Sequence, residues 1–171
     1  MQMIQNVLGT LGVNMRIISG GYGLVTSWNG SDWADHYAPS GSLGEVLPGD
    51  YDMLIIPGGA RSHDKLKLNR HVGAFLSGFM KGGKPVATFG DALSLLEDCY
   101  LTAGYEMALP QRGLRKLSPS YVEAPYVIDR NLLSIADRSY ALKAMEQFLR
   151  SRLYSASEMG GDSEGSKARA A

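Results

Sequence analysis

The spacing of apolar residues along this 171-residue chain predicts a fold in which helices and strands alternate. From Ile4 to Leu11 the apolar residues recur at i, i+3, i+4 and i+7, the pattern of an amphipathic helix, and similar patterns occupy residues 66–79 and 142–153. Short and nearly continuous apolar runs, typical of strands buried on both faces, lie at residues 13–18, 51–56 and 85–89. This order predicts a parallel α/β sandwich with its site at the carboxyl ends of the strands.

The stretch from Lys84 to Leu96, KPVATFGDALSLL, has the most specific pattern in the chain, and we call it the elbow stretch. Its apolar run predicts a strand, Gly90 and Asp91 interrupt that run, and the following residues continue at helical spacing. Strand, tight turn and helix in this order are the layout of a nucleophile elbow. The apex residue of such an elbow takes a positive φ, which only glycine adopts without strain. Enzymes place a Ser or Cys there, so the presence of Gly90 excludes thiol chemistry at this apex.

A second sharp strand end, Pro57-Gly58-Gly59, is expected beside the elbow because parallel strands end at one edge of a sheet. The predicted binding pocket consists of Gly58, Gly59, Gly90, Asp91 and Ala92. In one interpretation, the backbone amides after Gly90 and the amide of Gly59 form a preserved anion pocket. In the favoured interpretation, Asp91 caps the following helix, so its carboxylate occupies the anion site itself and repels anionic ligands.

The nucleophiles and bases of the chain are few, and none yields a confident catalytic residue. His63 follows Gly59 closely enough to reach the pocket rim and is a weak candidate for a general base, but no partner nucleophile is visible. A solvent-exposed or helix-start position is the favoured interpretation of His63. Cys99 lies about two helical turns past the elbow and is expected to be a buried hydrophobe. Ser94 has no evident base, so a packing or surface role is predicted.

Residues 22–50 are rich in turn-forming types and predict a short hairpin or an irregular excursion. They contain Trp28, Trp33 and Tyr37, which are large rings that are unfavourable in water. These aromatic residues are expected either to pack over the pocket or to anchor a dimer or partner surface.

Two polar clusters are interpreted as surface rather than as sites. Asp32, Asp35 and His36 lack a recognisable ligand spacing, so no metal site is predicted. The basic residues between Arg112 and Lys116 are expected to form a solvated face.

Composition narrows the class of protein. Lys+Arg and Asp+Glu both number 17, and this balance argues against a nucleic-acid or membrane-surface binder, which needs a basic excess. The single cysteine and the absence of a secretory or membrane-spanning pattern predict a cytoplasmic protein. One domain is expected over residues 1–153, followed by a small, polar tail at residues 154–171 that is predicted to be disordered.

The ordered set of junctions resembles the ThiJ/PfpI family of the class I glutamine-amidotransferase-like superfamily. The residues that carry the resemblance are Asp50–Asp52, Leu54–Gly59, Lys65, Leu66, Asn69, Gly83–Ala87, Leu95, Leu96 and Asp129–Ser134. The likeness covers roughly Met1 to Leu153, and it implies a flavodoxin-like three-layer α/β/α sandwich that is usually dimeric.

The resemblance also implies a catalytic constellation from which this chain departs. Active members carry a cysteine on the elbow, commonly a histidine beside it or from a later loop, and an acidic residue after the first strand. Here Gly90 stands at the cysteine position, Asp91 at the adjacent position, and no histidine lies near Leu109-Pro110. The first strand is apparently missing or truncated, because the chain opens on the helix that should follow it.

These departures predict a catalytically degenerate ThiJ/PfpI-like protein that acts by binding or as a stress-related or structural domain, without a cofactor. A homodimer is expected, with a small-molecule ligand possible at the degenerate elbow. One alternative is a hydrolase or lyase of glyoxalase, deglycase or peptidase type that uses Asp91 with His63 or a nucleophile from the substrate. Another is an accessory domain, since Gly90-Asp91-Ala92 looks like the elbow of the C-terminal domain of large-subunit catalases.

Overall fold

A computed structural model of the chain describes residues 2–21, 23–28, 33–109, 120–157 and 169–170. The helices in these residues are α1 (Gln2–Thr10), α2 (Ala60–Lys67), α3 (Val72–Lys81), α4 (Leu93–Asp98) and α5 (Ala141–Ser157). The strands are β1 (Asn14–Met15), β2 (Ile18–Ser19), β3 (Val25–Trp28), β4 (Trp33–Tyr37), β5 (Gly41–Ser42), β6 (Leu54–Ile56), β7 (Val86–Phe89), β8 (Met107–Ala108), β9 (Tyr121–Val122), β10 (Tyr126–Asp129), β11 (Leu132–Ile135) and β12 (Arg169–Ala170).

The central sheet has the strand order β10-β11-β7-β6. β6 and β11 both run parallel to β7, and Leu54 and Leu132 flank Val86 in the register. β10 is antiparallel to β11 and is joined to it by a tight turn at Arg130, which has a positive φ of 51°. The predicted α/β fold with a mostly parallel sheet is therefore confirmed.

Alternate residues of the strands enter two hydrophobic clusters on opposite faces of the sheet. Leu54, Ile56 and Val86 pack with apolar side chains of α3 and α4. Ile55 and Ala87, which lie between them in sequence, pack with apolar side chains of α1 and α5. This alternation produces the three-layer arrangement, with helices covering both faces of the sheet.

Several element boundaries differ from the prediction because tertiary pairing divides the patterns. Residues 13–18 form two short strands, since β1 pairs with β12 whereas β2 pairs with β5. The helical pattern at 66–79 divides into α2 and α3, and between them the side chain of Asn69 accepts a hydrogen bond from the amide of His71. Residues 22–50 contain the predicted hairpin, formed by β3 and β4.

The described part of the C-terminal segment also departs from the predicted boundary at residue 153. α5 continues to Ser157, and β12 pairs in parallel with β1. Residues 158–168 and 171 lie outside the described residues, so the predicted disorder remains a prediction for them. None of the helices in the described ranges is long and apolar enough to cross a membrane.

β6 is the end strand of the central sheet in the described part of the chain. The strand order gives β6 a single neighbour, β7, among the described strands. The amide of Leu54 donates to the carbonyl of Pro85 on that side. Because alternate residues of a parallel strand bond to opposite sides, the amide and carbonyl of Ile55 face the open edge.

Candidate functional site

The elbow stretch folds as its pattern predicts. β7 ends at Phe89, residues Gly90–Ala92 form one 3₁₀ turn, and α4 follows. Gly90 has a φ of +57°, so the apex takes the left-handed conformation that favours glycine. A Cβ at Gly90 would meet nothing within 4 Å. The chain therefore keeps the bend and the space of a nucleophile elbow without a side chain at its apex.

Asp91 is bound differently from the predicted helix cap. Its carboxylate makes no capping hydrogen bond to the 3₁₀ turn or to α4. Instead, its Oδ1 accepts a hydrogen bond from the backbone amide of Gly59, at 2.8 Å. The capping interpretation was wrong about the partner, because the turn at Gly59 offers a free amide across the sheet edge. The Gly59 amide, which would bind an anionic ligand if the anion pocket were preserved, is therefore already bonded to the Asp91 carboxylate.

Close approach of two backbones explains the glycine at position 58. A Cβ added to Gly58 would lie 2.9 Å from the carbonyl oxygen of Phe89 and 3.0 Å from Oδ1 of Asp91. Gly59 has a φ of +144° and precedes the first residue of α2. The two sharp strand ends therefore meet, as the parallel topology predicted, and their contact is filled by backbone and by the Asp91 carboxylate.

His63 lies in the first turn of α2, but it is not solvent-exposed, which corrects that part of the prediction. Only 2% of the residue is accessible. Its Nε2 donates to the carbonyl oxygen of Pro57 at 2.9 Å, which leaves Nδ1 as an acceptor. Nδ1 is buried and has no hydrogen-bond partner among the described residues. No hydrogen bond joins His63 to Asp91 in the described part of the chain, so the two do not form an acid–base pair.

The remaining candidates lie away from this contact. Cys99 follows α4 at its far end, and burial raises the pKa of its thiol, as does the neighbouring Asp98 carboxylate. Ser94 donates to the carbonyl oxygen of Asp91 at 2.8 Å, a local bond at the start of α4. His36 bonds Thr26, in the exposed hairpin. None of these side chains is positioned as a nucleophile with a base.

The helix of the elbow stretch is tied to its surroundings by two polar contacts. Tyr121 donates to the Glu97 carboxylate at 2.7 Å, and burial together with this bond raises the pKa of the Tyr121 phenol. Lys67 of α2 pairs with Asp98, and that hydrogen bond raises the pKa of the Lys67 ammonium. Across residues 2–21, 23–28, 33–109 and 120–157, no group of acidic, His and Cys side chains could hold a metal ion.

A large cleft lies beside the elbow, at the open edge of β6, and we call it the edge cleft. Its volume is about 980 Å³. One wall is formed by residues 15–21, the other by residues 55–63 with parts of α2, and residues 25–27 contribute from β3. The two walls are joined at Asn69, whose side-chain amide donates to the carbonyl of Gly20 at 2.6 Å.

The edge cleft includes only some of the residues of the predicted pocket. Gly58 and Gly59 line it, whereas Gly90, Asp91 and Ala92 do not. It is also lined by His63, Arg61 and other residues that the elbow pattern did not indicate. Sequence reasoning missed this cleft as a site because its two walls, residues 15–21 and 55–63, are distant in the chain.

Several predictions concern residues that the structure does not describe. The basic cluster at residues 112–116 and Asp32 lie outside the described ranges, as do the side chains of Trp28 and Trp33. Whether these tryptophans cover a pocket or a partner surface stays a prediction.

Comparison with known proteins agrees with the observed fold. The model of the DJ-1/PfpI family matches residues 2–151. A search of curated proteins finds no match. Solved structures with the same fold include a DJ-1 superfamily protein from Salmonella typhimurium, with 22% identity and a TM-score of 0.71, covering 88% of this chain and 81% of that one. Oxidized DJ-1 from Toxoplasma gondii has 16% identity and a TM-score of 0.72, covering 94% and 90% of the two chains.

A two-domain protein from Anabaena variabilis, which contains DJ-1/ThiJ/PfpI-like and ferritin-like domains, also matches. It has 22% identity and a TM-score of 0.70, over 89% of this chain and 43% of the two-domain protein. This chain therefore spans less than half of that relative. At these identities the likenesses show a shared fold.

Proposed function

The chain belongs to the DJ-1/PfpI family, and from that premise we propose that it is a catalytically degenerate member that acts by binding or association. The bond from the Gly59 amide to the Asp91 carboxylate carries the proposal. In acyl-transfer and related chemistry, an elbow works by presenting a nucleophile beside free amides that stabilise an oxyanion. Here the apex has no side chain, and the amide opposite is already satisfied by a negative charge from the protein itself.

The position of His63 supports the same proposal against the hydrolase or lyase alternative. A general base must reach the proton that it abstracts, directly or through one water. His63 has one ring nitrogen bonded to Pro57, and the other is buried away from any described nucleophile. Asp91 and His63 thus each form a hydrogen bond with a backbone group and not with each other.

Enzyme assays test this proposal. We expect the purified protein to turn over methylglyoxal, glycated amines and unstructured peptides no faster than buffer does. Gly90→Cys should not raise these rates, because in the described part of the chain the Asp91 carboxylate is bonded to the Gly59 amide and His63 to the Pro57 carbonyl, so neither is placed to deprotonate a thiol at the apex. The unmodified protein and Asp91→Ala are assayed in parallel. Turnover above the buffer rate that disappears in Asp91→Ala or His63→Ala contradicts the proposal.

A second candidate, an accessory domain of a larger assembly, is favoured by one observation. The Anabaena protein joins a DJ-1/ThiJ/PfpI-like domain to a ferritin-like domain, so this fold is found fused to a different domain. Co-purification of the native protein with a specific enzyme, and a change in that enzyme's stability on removal of this chain, would support it. Recovery of the native protein without any stoichiometric partner argues against it.

The proposal includes a homodimer in the cytoplasm. Exposed apolar side chains support self-association: Leu68 is 87% exposed and Tyr100 is 91% exposed in the isolated chain. Light scattering at micromolar concentration tests this, and a monomer mass at all concentrations contradicts it.

A further inference from the structure

We propose that two copies of the chain associate through a surface at the C-terminal end of α4, where Tyr100 of each copy packs against Leu68 of the other. We call this surface the corner patch, and it consists of Asp64, Leu68, Arg70 and Tyr100. The inference rests on the homodimer proposed above and deepens it by assigning the interface. Two independent observations carry it: the strained backbone of Tyr100 and the order of the charges on either side of Leu68.

Tyr100 occupies a backbone position that favours glycine. α4 ends in a Schellman motif, in which the amide of Tyr100 donates to the carbonyl of Glu97 at 2.9 Å and the amide of Leu101 donates to the carbonyl of Leu96 at 3.0 Å. Tyr100 lies at the turn of this motif with a φ of +56°, a left-handed conformation that a bulky residue adopts only under strain. Its side chain is 91% exposed, so burial within the chain does not offset the strain.

Arg130, the other non-glycine residue with a positive φ in the described ranges, is held by contacts within the fold. Its guanidinium lies over the ring of Tyr105, 3.6 Å from the ring centroid, and donates to the carbonyl of Gly104. The Tyr100 ring has no such contact among the described residues. Strained residues are concentrated where a function requires them, so we assign the role of the Tyr100 ring to a contact with another molecule.

Leu68 lies at the same corner of the molecule as Tyr100 and is 87% exposed. It directly follows Lys67, whose ammonium lies 2.5 Å from the carboxylate of Asp98, and Tyr100 comes two residues after Asp98. This ion pair ties the end of α2 to the end of α4 and so brings the two exposed apolar side chains into one region. Large apolar side chains that are exposed together indicate a contact surface.

The charges beside Leu68 make the corner patch complementary to its own copy. Asp64 lies one helical turn before Leu68, and its side chain is 75% exposed, 3.8 Å from Lys67, which has a closer partner in Asp98. Arg70 lies on the other side of Leu68, is exposed, and has no ion-pair partner within the described ranges. A two-fold axis reverses this order of acid, apolar residue and base, so that Asp64 of each copy faces Arg70 of the other. This arrangement favours a second copy over a partner of uniform charge, which one of the two side chains would repel.

The size of the exposed side chains fits the centre of an interface. An aromatic side chain buries about 150–250 Å², so Tyr100 supplies about a quarter of the roughly 800 Å² that each partner contributes to a standard interface. Tyrosine is also among the residues that most often dominate the binding energy at such a centre. Asp64 and Arg70 then belong to the polar rim around the apolar contact.

Replacing Tyr100 separates its effect on the fold from its effect on association. Tyr100→Gly removes both the ring and the left-handed strain, so it should raise the urea midpoint of the monomer by about 0.5 M while weakening the dimer at least tenfold. Dissociation constants are measured on the full chain by analytical ultracentrifugation, and the urea midpoint at a concentration at which the protein is monomeric. Leu68→Glu should also weaken the dimer at least tenfold, whereas Leu47→Glu, the matched control at a leucine that is 67% exposed outside the patch, should leave it unchanged. A Tyr100→Gly protein that dimerises as tightly as the unmodified protein overturns the proposal.

Charge reversal tests the two-fold pairing. Asp64→Arg and Arg70→Asp should each weaken the dimer at least tenfold, because each places like charges opposite one another. The double variant should restore the dissociation constant to within about threefold, since the facing pairs are again of opposite sign. A mixture of the two single variants should form a mixed dimer, detected by native mass spectrometry, that is tighter than either homodimer. Absence of both the restoration and the mixed dimer overturns the proposal.

These outcomes are separable from those that test the proposed function. A dimer of the unmodified protein that none of these variants weakens rejects only the corner patch. A monomer at all concentrations rejects the homodimer together with the patch and leaves the degenerate-enzyme proposal standing. Turnover above the buffer rate with the expected dimer results rejects only the degenerate-enzyme proposal.

Discussion

The elbow stretch and the edge cleft lie at neighbouring strands of one sheet, yet their hydrogen-bonding groups are satisfied to very different extents. In the elbow stretch, Lys84 donates to three backbone carbonyls and Asp91 accepts from Gly59. In the edge cleft, no described strand pairs with the outer side of Ile55, and Nδ1 of His63 has no partner among the described residues. The difference is that Asp91 at the elbow is held by a contact within the fold, whereas the neighbouring cleft keeps unsatisfied polar groups in the described part of the chain.

The largest difference in stability between the two regions is expected when a lysine of each, Lys84 or Lys65, is replaced by alanine. The Lys84 ammonium donates to the carbonyls of Pro48, Gly49 and Tyr51, at 2.8, 3.3 and 2.7 Å, and so connects the start of β7 to the segment before β6. Because it removes three hydrogen bonds from a charged donor, two of them to partly buried carbonyls, Lys84→Ala should lower the free energy of unfolding by about 3 kcal/mol in urea denaturation. The matched variant is Lys65→Ala in the edge cleft, which should change stability by less than about 0.5 kcal/mol. Equal losses for the two lysines would remove the distinction between the regions.

A medium effect is expected at Asp91. Asp91→Ala removes the acceptor of the Gly59 amide and should lower the free energy of unfolding by about 2 kcal/mol, since charged hydrogen bonds contribute about this much. Asp91→Asn keeps an oxygen at the same position and should lose about half as much. If thermal and urea unfolding of Asp91→Ala match those of the unmodified protein, the carboxylate has no structural role at this contact.

The smallest effect is expected at the apex. Gly90→Ala should cost about 1 kcal/mol in urea denaturation, because a side chain at φ +57° is strained although its Cβ meets nothing within 4 Å. Gly9→Ala in α1 is the control, and it is expected to change the free energy of unfolding in the opposite direction. Gly9 lies within the helix with open space around it, and alanine there should stabilise by about 0.5 to 1 kcal/mol. A stabilising Gly90→Ala would show that the apex relaxes out of the left-handed conformation.

Local pattern was enough to predict most of the scaffold. The run at 85–89 followed by Gly90 predicted strand, turn and helix, and all three are present. The helix over 142–153 was likewise predicted from the spacing of its apolar residues. The predicted boundaries were less accurate where one apolar run pairs with two different strands, as at residues 13–18. A continuous apolar run does not state which strand each residue will pair with.

The site could be predicted only in part. The meeting of Gly58 and Gly59 with Asp91 followed from parallel topology, but the bond that Asp91 makes did not. From local sequence alone, a carboxylate after a tight turn is expected to cap the helix that follows it. The amide of Gly59 becomes an alternative donor for this carboxylate only after the sheet has formed. The burial of His63 could not be predicted either, because one helical turn presents both an exposed and a buried face.

By itself, the sequence determined the class of fold, the left-handed apex at Gly90 and the absence of a thiol there, because these depend on residue type and on spacing within a few positions. Only the tertiary structure decided that Asp91 bonds Gly59, that His63 is buried with one nitrogen unpartnered within the described ranges, and that a cleft lies along β6. Each of these features joins groups that are far apart in the chain. Their energies depend on distances and burial that exist only once the sheet has formed.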